Sequence, residues 1–143
     1  MKHLHLMLIM AFVLEWKITY ATETEPNNTA AQANTLALTG SNTGKINPSG
    51  GVDWWKVTTT GDGKLNIKFS TTSGKYTWIY LYDNNSTTLL DSGNSNSTFL
   101  RSKDGLAAGT YYIKIRCVSA TDTTSYTISN TLTLPAVAKR CEW

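Results

Sequence analysis

The chain has 143 residues, of which 41% are hydrophobic, and a formal net charge of +3. This length supports a single domain with a substantial core. Proteins that bind nucleic acids usually carry a basic stripe, and the basic residues here form no run, so the sequence gives no indication of a nucleic-acid partner.

Residues 1–21 have the layout of a secretory signal peptide. Met1–His5 includes a lysine, Leu6–Leu14 is an unbroken apolar run, and Thr19-Tyr20-Ala21 can serve as a cleavage site. The apolar run is too short to span a bilayer as a helix. We therefore expect a secreted, extracellular protein that begins after Ala21. A buried start of the chain is the alternative.

The next segment is polar and precedes the predicted strands. Thr22–Asn28 is acidic and reads as a linker or lead-in segment. Asn27–Leu38 predicts one helical turn capped by Asn28 or Thr29. No longer stretch of the mature chain indicates a helix.

The remaining chain alternates between apolar and polar residues in short runs. Turn signals every eight to twelve residues, between strands with one half-buried face, are typical of an antiparallel sandwich. The sequence therefore predicts an all-β fold, an antiparallel β-sandwich of about eight strands over residues 22–134, with a disordered tail at 135–143. The predicted strands are Ser41–Ile46, Val52–Thr60, Lys64–Thr71, Tyr76–Tyr82, Thr87–Leu90, Ser97–Arg101, Thr110–Val118 and Ser125–Leu134, with a polar turn at Asp91–Asn96. The segment Lys103–Gly109 introduces the Thr110–Val118 strand, which has the strongest pattern.

Two adjacent tryptophans dominate the second of these strands. Side chains alternate between the faces of a strand, so Trp54 and Trp55 must point in opposite directions. Trp55 shares its face with Asp53 and Val57. One indole can anchor the core, and the other must be covered or used.

A second group of aromatic residues forms a candidate ligand-binding surface: Trp78, Tyr80 and Tyr82 on one face of a strand, and Tyr112 on another strand. Such rings offer rigid apolar area with polar tips, which suits a sugar or an extended protein strand. In the alternative interpretation these residues form the second inner face of the sandwich, with Ile79 and Leu81 outside or in a partly covered layer.

The acidic N-terminal segment is a candidate cation site. Glu23, Glu25, Asn27 and Asn28 place four oxygen-bearing side chains within six residues. Calcium takes six to eight oxygen ligands in irregular geometry. Asp53 could complete the set if the segment folds back against the tryptophan strand. The alternative is a solvated acidic linker.

The residue types present predict a protein that is not an enzyme. Cleavage after Ala21 would remove both histidines and leave eleven basic against nine acidic residues. Ser–His and Cys–His catalysis would then be excluded. Paired carboxylates could still hydrolyse glycosides, but most aspartates occupy turn positions, where they cap their own backbone.

Cys117 and Cys141 are the two cysteines. Export would place them where disulfides persist. A bridge between them, or a core cysteine together with a loose tail thiol, are both compatible with the sequence.

Several segments together resemble the bacterial pre-peptidase C-terminal domain. The likeness covers about Glu23–Leu134 and implies a small, jelly-roll-like β-sandwich attached to secreted peptidases and other exported hydrolases. Such a domain is removed or acts as a non-catalytic accessory. The segments that carry the resemblance are Glu23–Ala33, Gly51–Val57, Ile79–Asp83, Leu106–Ile113 and Tyr126–Ile128.

The resemblance also implies a metal. Related collagen-binding modules of clostridial collagenases bind calcium through their acidic N-terminal segment. By that likeness the calcium ligands map onto Glu23, Glu25, Asn27, Asn28 and Asp53. Where those modules carry a further acid, just before the Asp-aromatic pair, this chain has Gly50.

These observations lead to two functional hypotheses. The first is a secreted, non-enzymatic accessory module that binds an extracellular protein or polysaccharide polymer, or its parent hydrolase, with structural calcium. The second is a folding or secretion appendage that has no ligand of its own and is removed during maturation. The sequence is compatible with a fragment of a longer hydrolase and with a free-standing module.

Overall fold

The computed structural model describes residues 21–47 and 51–136. The predicted signal peptide up to Tyr20, Gly50, Cys141 and most of the predicted tail lie outside these residues. The cleavage site, the effect of Gly50 and the pairing of Cys117 with Cys141 therefore stay predictions.

Within this part of the chain the backbone forms ten strands and one 3-10 helix, at Ala30–Gln32. The strands are β1 (Ala21–Thr22), β2 (Asn34–Thr35), β3 (Ser41–Ile46), β4 (Val52–Thr59), β5 (Gly63–Thr71), β6 (Thr77–Tyr82), β7 (Leu89–Ser95), β8 (Phe99–Leu106), β9 (Gly109–Cys117) and β10 (Thr124–Thr133).

The strands form two five-stranded sheets, which confirms the predicted β-sandwich. Sheet 1 has the order β1-β3-β10-β5-β8 and sheet 2 the order β2-β4-β9-β6-β7. The eight longer strands pair antiparallel, as predicted. Two strands of two residues each, β1 and β2, add parallel to β3 and β4 and make both sheets mixed.

The alternating sequence explains where the core lies. Every second residue of the long strands points between the sheets, so Leu65, Ile67 and Phe69 of β5 face Ile113 and Ile115 of β9 across an apolar interior. The core comprises Leu36, Ile46, Trp55, Val57, Leu65, Ile67, Phe69, Ile79, Leu81, Leu106, Tyr111, Ile113, Ile115, Cys117, Tyr126 and Ile128.

A hydrogen bond between two aromatic side chains crosses this core. Trp55 on β4 is fully buried, and its indole Nε1–H donates to the hydroxyl of Tyr126 on β10 over 2.8 Å. The ring of Tyr126 stacks on Phe69, with 5.4 Å between the ring centroids. The sheets are therefore joined by a directional bond as well as by apolar contact.

One predicted turn is wrong. Asp91–Asn96 was expected to be a turn because it is polar, but residues up to Ser95 continue β7, an edge strand that pairs with β6. The carboxylate of Asp91 on β7 forms an ion pair with Arg101 of β8. The Nε–H of Arg101 donates to Oδ2 of Asp91 over 3.0 Å. The strand predicted at Ser97–Arg101 begins at Phe99 and extends further than expected, because β8 stays paired with β5 as far as Leu106.

The helical turn forms where it was expected but without the predicted side-chain cap. Thr29 is the N-cap residue and makes no capping hydrogen bond to the backbone. Its hydroxyl instead donates to Oε1 of Gln32 over 3.0 Å. Across residues 21–47 and 51–136, no helix is long and apolar enough to cross a membrane.

Candidate functional site

The acidic N-terminal segment packs against both sheets. Glu23 N–H donates to the carbonyl oxygen of Thr43 on β3 over 3.0 Å, and Trp54 N–H on β4 donates to the carbonyl oxygen of Asn27 over 2.9 Å. The segment thus folds back against the tryptophan strand β4. This is the arrangement in which Asp53 could join the other predicted cation ligands. Asn27 is 0% exposed, whereas Glu25 and Asn28 on either side of it are exposed to solvent.

Three carboxylates meet at this point. One oxygen each of Glu23, Glu25 and Asp53 lies within 4.8 Å of the others. Asp53 is 1% exposed, whereas Glu23 is half-buried and Glu25 is exposed. We call these three residues the acidic cluster. Neither of the two ion pairs found in the described parts of the chain involves a member of the cluster.

Hydrogen bonds from the surrounding protein orient each carboxylate. Glu23 accepts the backbone N–H of Lys45 and the Nδ2–H of Asn27, the latter over 3.3 Å. Glu25 accepts the backbone N–H of Asn27 over 3.0 Å. Asp53 accepts the hydroxyl of Tyr126 over 2.7 Å. The cluster is therefore held in place before any ligand arrives.

One buried oxygen beside the cluster has no partner. Oδ1 of Asn27 makes no hydrogen bond to any of the described residues, although leaving a buried polar atom unpaired costs about 1–3 kcal/mol. Asn28, predicted as a further ligand, is exposed and takes no part in the network. The structure thus brings together four of the five predicted cation-site residues: Glu23, Glu25, Asn27 and Asp53.

Gly44 allows this close packing. It is the cross-strand partner of Tyr126. A Cβ atom at this position would overlap the Tyr126 hydroxyl group and would lie 2.6 Å from Oε2 of Glu23. A side chain here would therefore displace both groups.

Burial and like charges govern the electrostatics of the cluster. Burial, together with the negative charges of Glu23 and Glu25, raises the pKa of Asp53 from 3.8 to about 7, against the opposing effect of the hydrogen bond from Tyr126. Burial, followed by the charges of Asp53 and Glu23, raises the pKa of Tyr126 well above its usual value. The tyrosine therefore keeps its proton and remains a hydrogen-bond donor.

The predicted aromatic surface lies on the outer face of sheet 2. Ile79 and Leu81 are each 1% exposed and belong to the core, so the alternative that placed them outside is wrong. The rings of Trp78 and Tyr80 stack with centroids 5.6 Å apart. Tyr80 and Tyr82 follow at 6.3 Å.

Trp54 extends this row from a different strand. Its indole leans across β9 and stacks on Tyr82, with 5.4 Å between the centroids. We call Trp54, Trp78, Tyr80 and Tyr82 the aromatic row. Tyr112 lies on the same face of sheet 2, where it is the cross-strand neighbour of Tyr82. The alternation at the tryptophan pair indicated that Trp54 faces outward, but the sequence did not reveal its neighbours.

Two cations that the sequence analysis did not single out accompany the row. Lys114 Nζ lies 5.7 Å from the ring centroid of Trp54 and 5.8 Å from that of Tyr80. The guanidinium carbon of Arg116 lies 5.9 Å from the centroid of Tyr80. Both residues alternate with the buried residues of β9. This alternation in the sequence indicates that the two side chains point outward, but it does not show which rings they contact.

The raised pKa of Asp53 predicts a pH-dependent stability. In a buffer free of divalent cations, the folded state holds the Asp53 proton more tightly than the unfolded state, so the free energy of unfolding should fall as the pH rises from 3.8 to about 7. Urea unfolding measured between these pH values should show that the free energy of unfolding decreases in the native chain. In Asp53→Asn the free energy of unfolding should depend less on pH. As a control, the exposed Asp104→Asn should keep the native slope. Equal slopes for the native chain and Asp53→Asn would contradict the assignment.

Comparison with known proteins shows which family and which solved structures this chain is similar to. Residues 51–116 match the family model of the bacterial pre-peptidase C-terminal domain. The pre-peptidase C-terminal domain of a Bacillus anthracis collagenase superposes with a TM-score of 0.59 at 16% identity, over 69% of this chain and 94% of that domain.

Two other solved structures share the fold at lower identity. CorA, a surface-associated copper-binding protein of Methylomicrobium album BG8, superposes with a TM-score of 0.57 at 6% identity, covering 71% of this chain and 98% of CorA. PliG, a periplasmic inhibitor of g-type lysozyme from Aeromonas hydrophila, has a TM-score of 0.53 at 8% identity, covering 71% and 97%. No curated protein sequence matches the chain.

The family model and the collagenase structure both indicate a pre-peptidase C-terminal domain. The fold of the collagenase domain is similar to the β-sandwich described above. Domains of this family are typical of exported proteins and accompany peptidases such as collagenases. The resemblance drawn from the sequence is thus confirmed: residues 51–116 match the model of the bacterial pre-peptidase C-terminal domain, and the two-sheet fold is shared with the collagenase domain.

Proposed function

We propose that this protein is an exported binding module that holds an extracellular polymer on the outer face of sheet 2. The observation that carries the proposal is the aromatic row. Four large rings in mutual contact lie on the outside of a sheet whose other side already supplies the core. Aromatic residues clustered on a surface are characteristic of binding sites, since they bring large contact area at little cost in side-chain entropy.

The row is also held rigidly. Strands β4, β6 and β9 that carry it are paired along their whole length, and Arg116 Nη2–H donates to the hydroxyl of Tyr80 over 3.2 Å. Rigid side chains lose little freedom on binding. An appendage that served only folding or secretion would need no such preorganised surface, and this favours the binding module over the alternative.

Calcium at the acidic cluster is the second part of the proposal. Three converging carboxylates repel one another, and Oδ1 of Asn27 beside them lacks a partner. Carboxylate and amide oxygens are the ligands that calcium prefers. A bound ion would neutralise the repulsion, satisfy Asn27 and tie the N-terminal segment to β4. Its role would be structural, with Glu23, Glu25, Asn27 and Asp53 as side-chain ligands.

Calcium is therefore expected to raise the melting temperature of the protein. An ion that binds only the folded state stabilises it by about 2.7 kcal/mol at one hundred times its dissociation constant. Calcium titrations followed by differential scanning calorimetry should show this rise in the native chain and a much smaller one in Glu23→Gln and Asp53→Asn.

The control for calcium is Asp104→Asn, which removes a carboxylate that only accepts the N–H of Gly105. This variant should respond to calcium as the native chain does. A melting temperature that stays constant from chelator to millimolar calcium would remove the ion from the proposal.

Polymer binding is expected to depend on the aromatic row. Retention on insoluble collagen, chitin, cellulose or pectic polysaccharide should fall by about tenfold or more in Trp78→Ala and Tyr80→Ala, because truncating an aromatic contact residue typically costs over 1 kcal/mol. Leu100→Ala is a matched control, since Leu100 is a 58% exposed apolar residue on sheet 1. Absence of retention on every matrix would favour the appendage.

A further inference from the structure

The stacking of the aromatic row determines which groups it offers to a ligand. Tyr80 has a stacked neighbour in both directions along β6, Trp78 at 5.6 Å and Tyr82 at 6.3 Å, with 18° and 25° between the ring planes. Tyr82 also stacks on Trp54, at 28°. The rings thus direct their faces largely at one another. A row of this kind presents ring edges, phenol hydroxyl groups and indole N–H groups rather than a flat platform.

Two cations lie close to the rings of Trp54 and Tyr80. Lys114 Nζ lies between the rings of Trp54 and Tyr80, at 5.7 and 5.8 Å from their centroids, and Arg116 lies over Tyr80 at 5.9 Å. Lys56 occupies the next position outward on β4, opposite Tyr112. The surface therefore combines the row with three positive charges.

These charges are not neutralised within the described protein. The two ion pairs of residues 21–47 and 51–136 are Lys75–Asp122 and Arg101–Asp91, and neither includes a cation of this surface. The outward positions of β4, β6 and β9 carry no acidic residue: they are Val52, Trp54, Lys56, Thr58, Trp78, Tyr80, Tyr82, Thr110, Tyr112, Lys114 and Arg116.

Such a surface is rich in hydrogen-bond donors. Lysine, arginine and the indole group donate and do not accept, and only the tyrosine hydroxyls can do both. The complementary ligand is rich in acceptors and negatively charged. Cations two residues apart on a strand, such as Lys114 and Arg116, lie about 7 Å from each other, so an extended polymer with regularly repeated anionic groups can contact both.

We propose that the polymer held by this module is an acidic polysaccharide, whose carboxylate or sulfate groups bind Lys114, Arg116 and Lys56 while its sugar rings lie against the edges of the aromatic row. This inference rests on the proposed function and specifies its ligand. Single-stranded nucleic acid is also anionic, but its binding relies on open aromatic faces on which bases stack. Here the rings stack on one another, which leaves few open faces.

The test compares two forms of one polymer that differ in charge. Tryptophan fluorescence titrations of the purified full chain, in calcium-free buffer, would measure the affinity for polygalacturonate and for highly methyl-esterified pectin, which has the same sugar backbone with most of its carboxylates neutralised. We expect binding of the acidic form that is weakened at least about tenfold by esterification and that declines as sodium chloride is added.

Charge variants connect this preference to the surface. The double variant Lys56→Gln/Lys114→Gln should lose about tenfold or more in affinity for polygalacturonate while keeping the native melting temperature, since neither removed ammonium group belongs to an ion pair of the described residues. Lys68→Gln removes an exposed lysine from the outer face of sheet 1 and should bind as the native chain does. An equal loss in Lys68→Gln would overturn the assignment to sheet 2.

The outcomes separate this inference from the proposed function. Equal affinity for the acidic and esterified forms, or binding to collagen, chitin or cellulose alone, would overturn the acidic ligand and leave the polymer-binding module standing. Tighter binding to a single-stranded oligonucleotide than to polygalacturonate would overturn it in favour of nucleic acid. Absence of binding to any polymer would overturn both proposals.

Discussion

The hydroxyl group of Tyr126 joins the two sheets at the point where the N-terminal segment meets them. It accepts a hydrogen bond from Trp55 Nε1–H at 2.8 Å and donates one to Asp53 at 2.7 Å. Its single proton goes to Asp53 rather than to Glu23, whose carboxylate lies farther away at 3.2 Å. Because the ring is fixed by stacking on Phe69, packing in the core fixes the orientation of the buried carboxylate.

Strand β4 also determines the position of the proposed binding surface. Because Trp55 is buried in the core, the alternation of side chains along β4 directs Trp54 outward. There it stacks on Tyr82 at the end of the aromatic row. The acidic cluster and the aromatic row therefore lie on opposite sides of one strand. We propose a bound ion at the first and a polymer ligand at the second. Fold likeness alone would not support this reading, which depends on the residues themselves.

Much of this arrangement could be predicted from the sequence. Alternation over β5 and β9 identified the core face, and the tryptophan pair identified a strand with two different sides. What could not be predicted depends on long-range pairing. Lys56, Lys114 and Arg116 form no run in the sequence, because two strands bring them together. Similarly, the polar β7 resembles a turn until its pairing with β6 and the partner of Asp91 are known.

The central claim, that the buried hydroxyl group joins the sheets and orients Asp53, is tested most directly by the free energy of unfolding of Tyr126→Phe. Its matched control is Tyr112→Phe, whose hydroxyl group makes no hydrogen bond to the described residues and should change stability by about 0.5 kcal/mol or less. Loss of the Tyr126 hydroxyl leaves Trp55 Nε1–H and Asp53 without their buried partner, so we predict a destabilisation of about 1–3 kcal/mol. Equal stability of Tyr126→Phe and Tyr112→Phe would contradict the account.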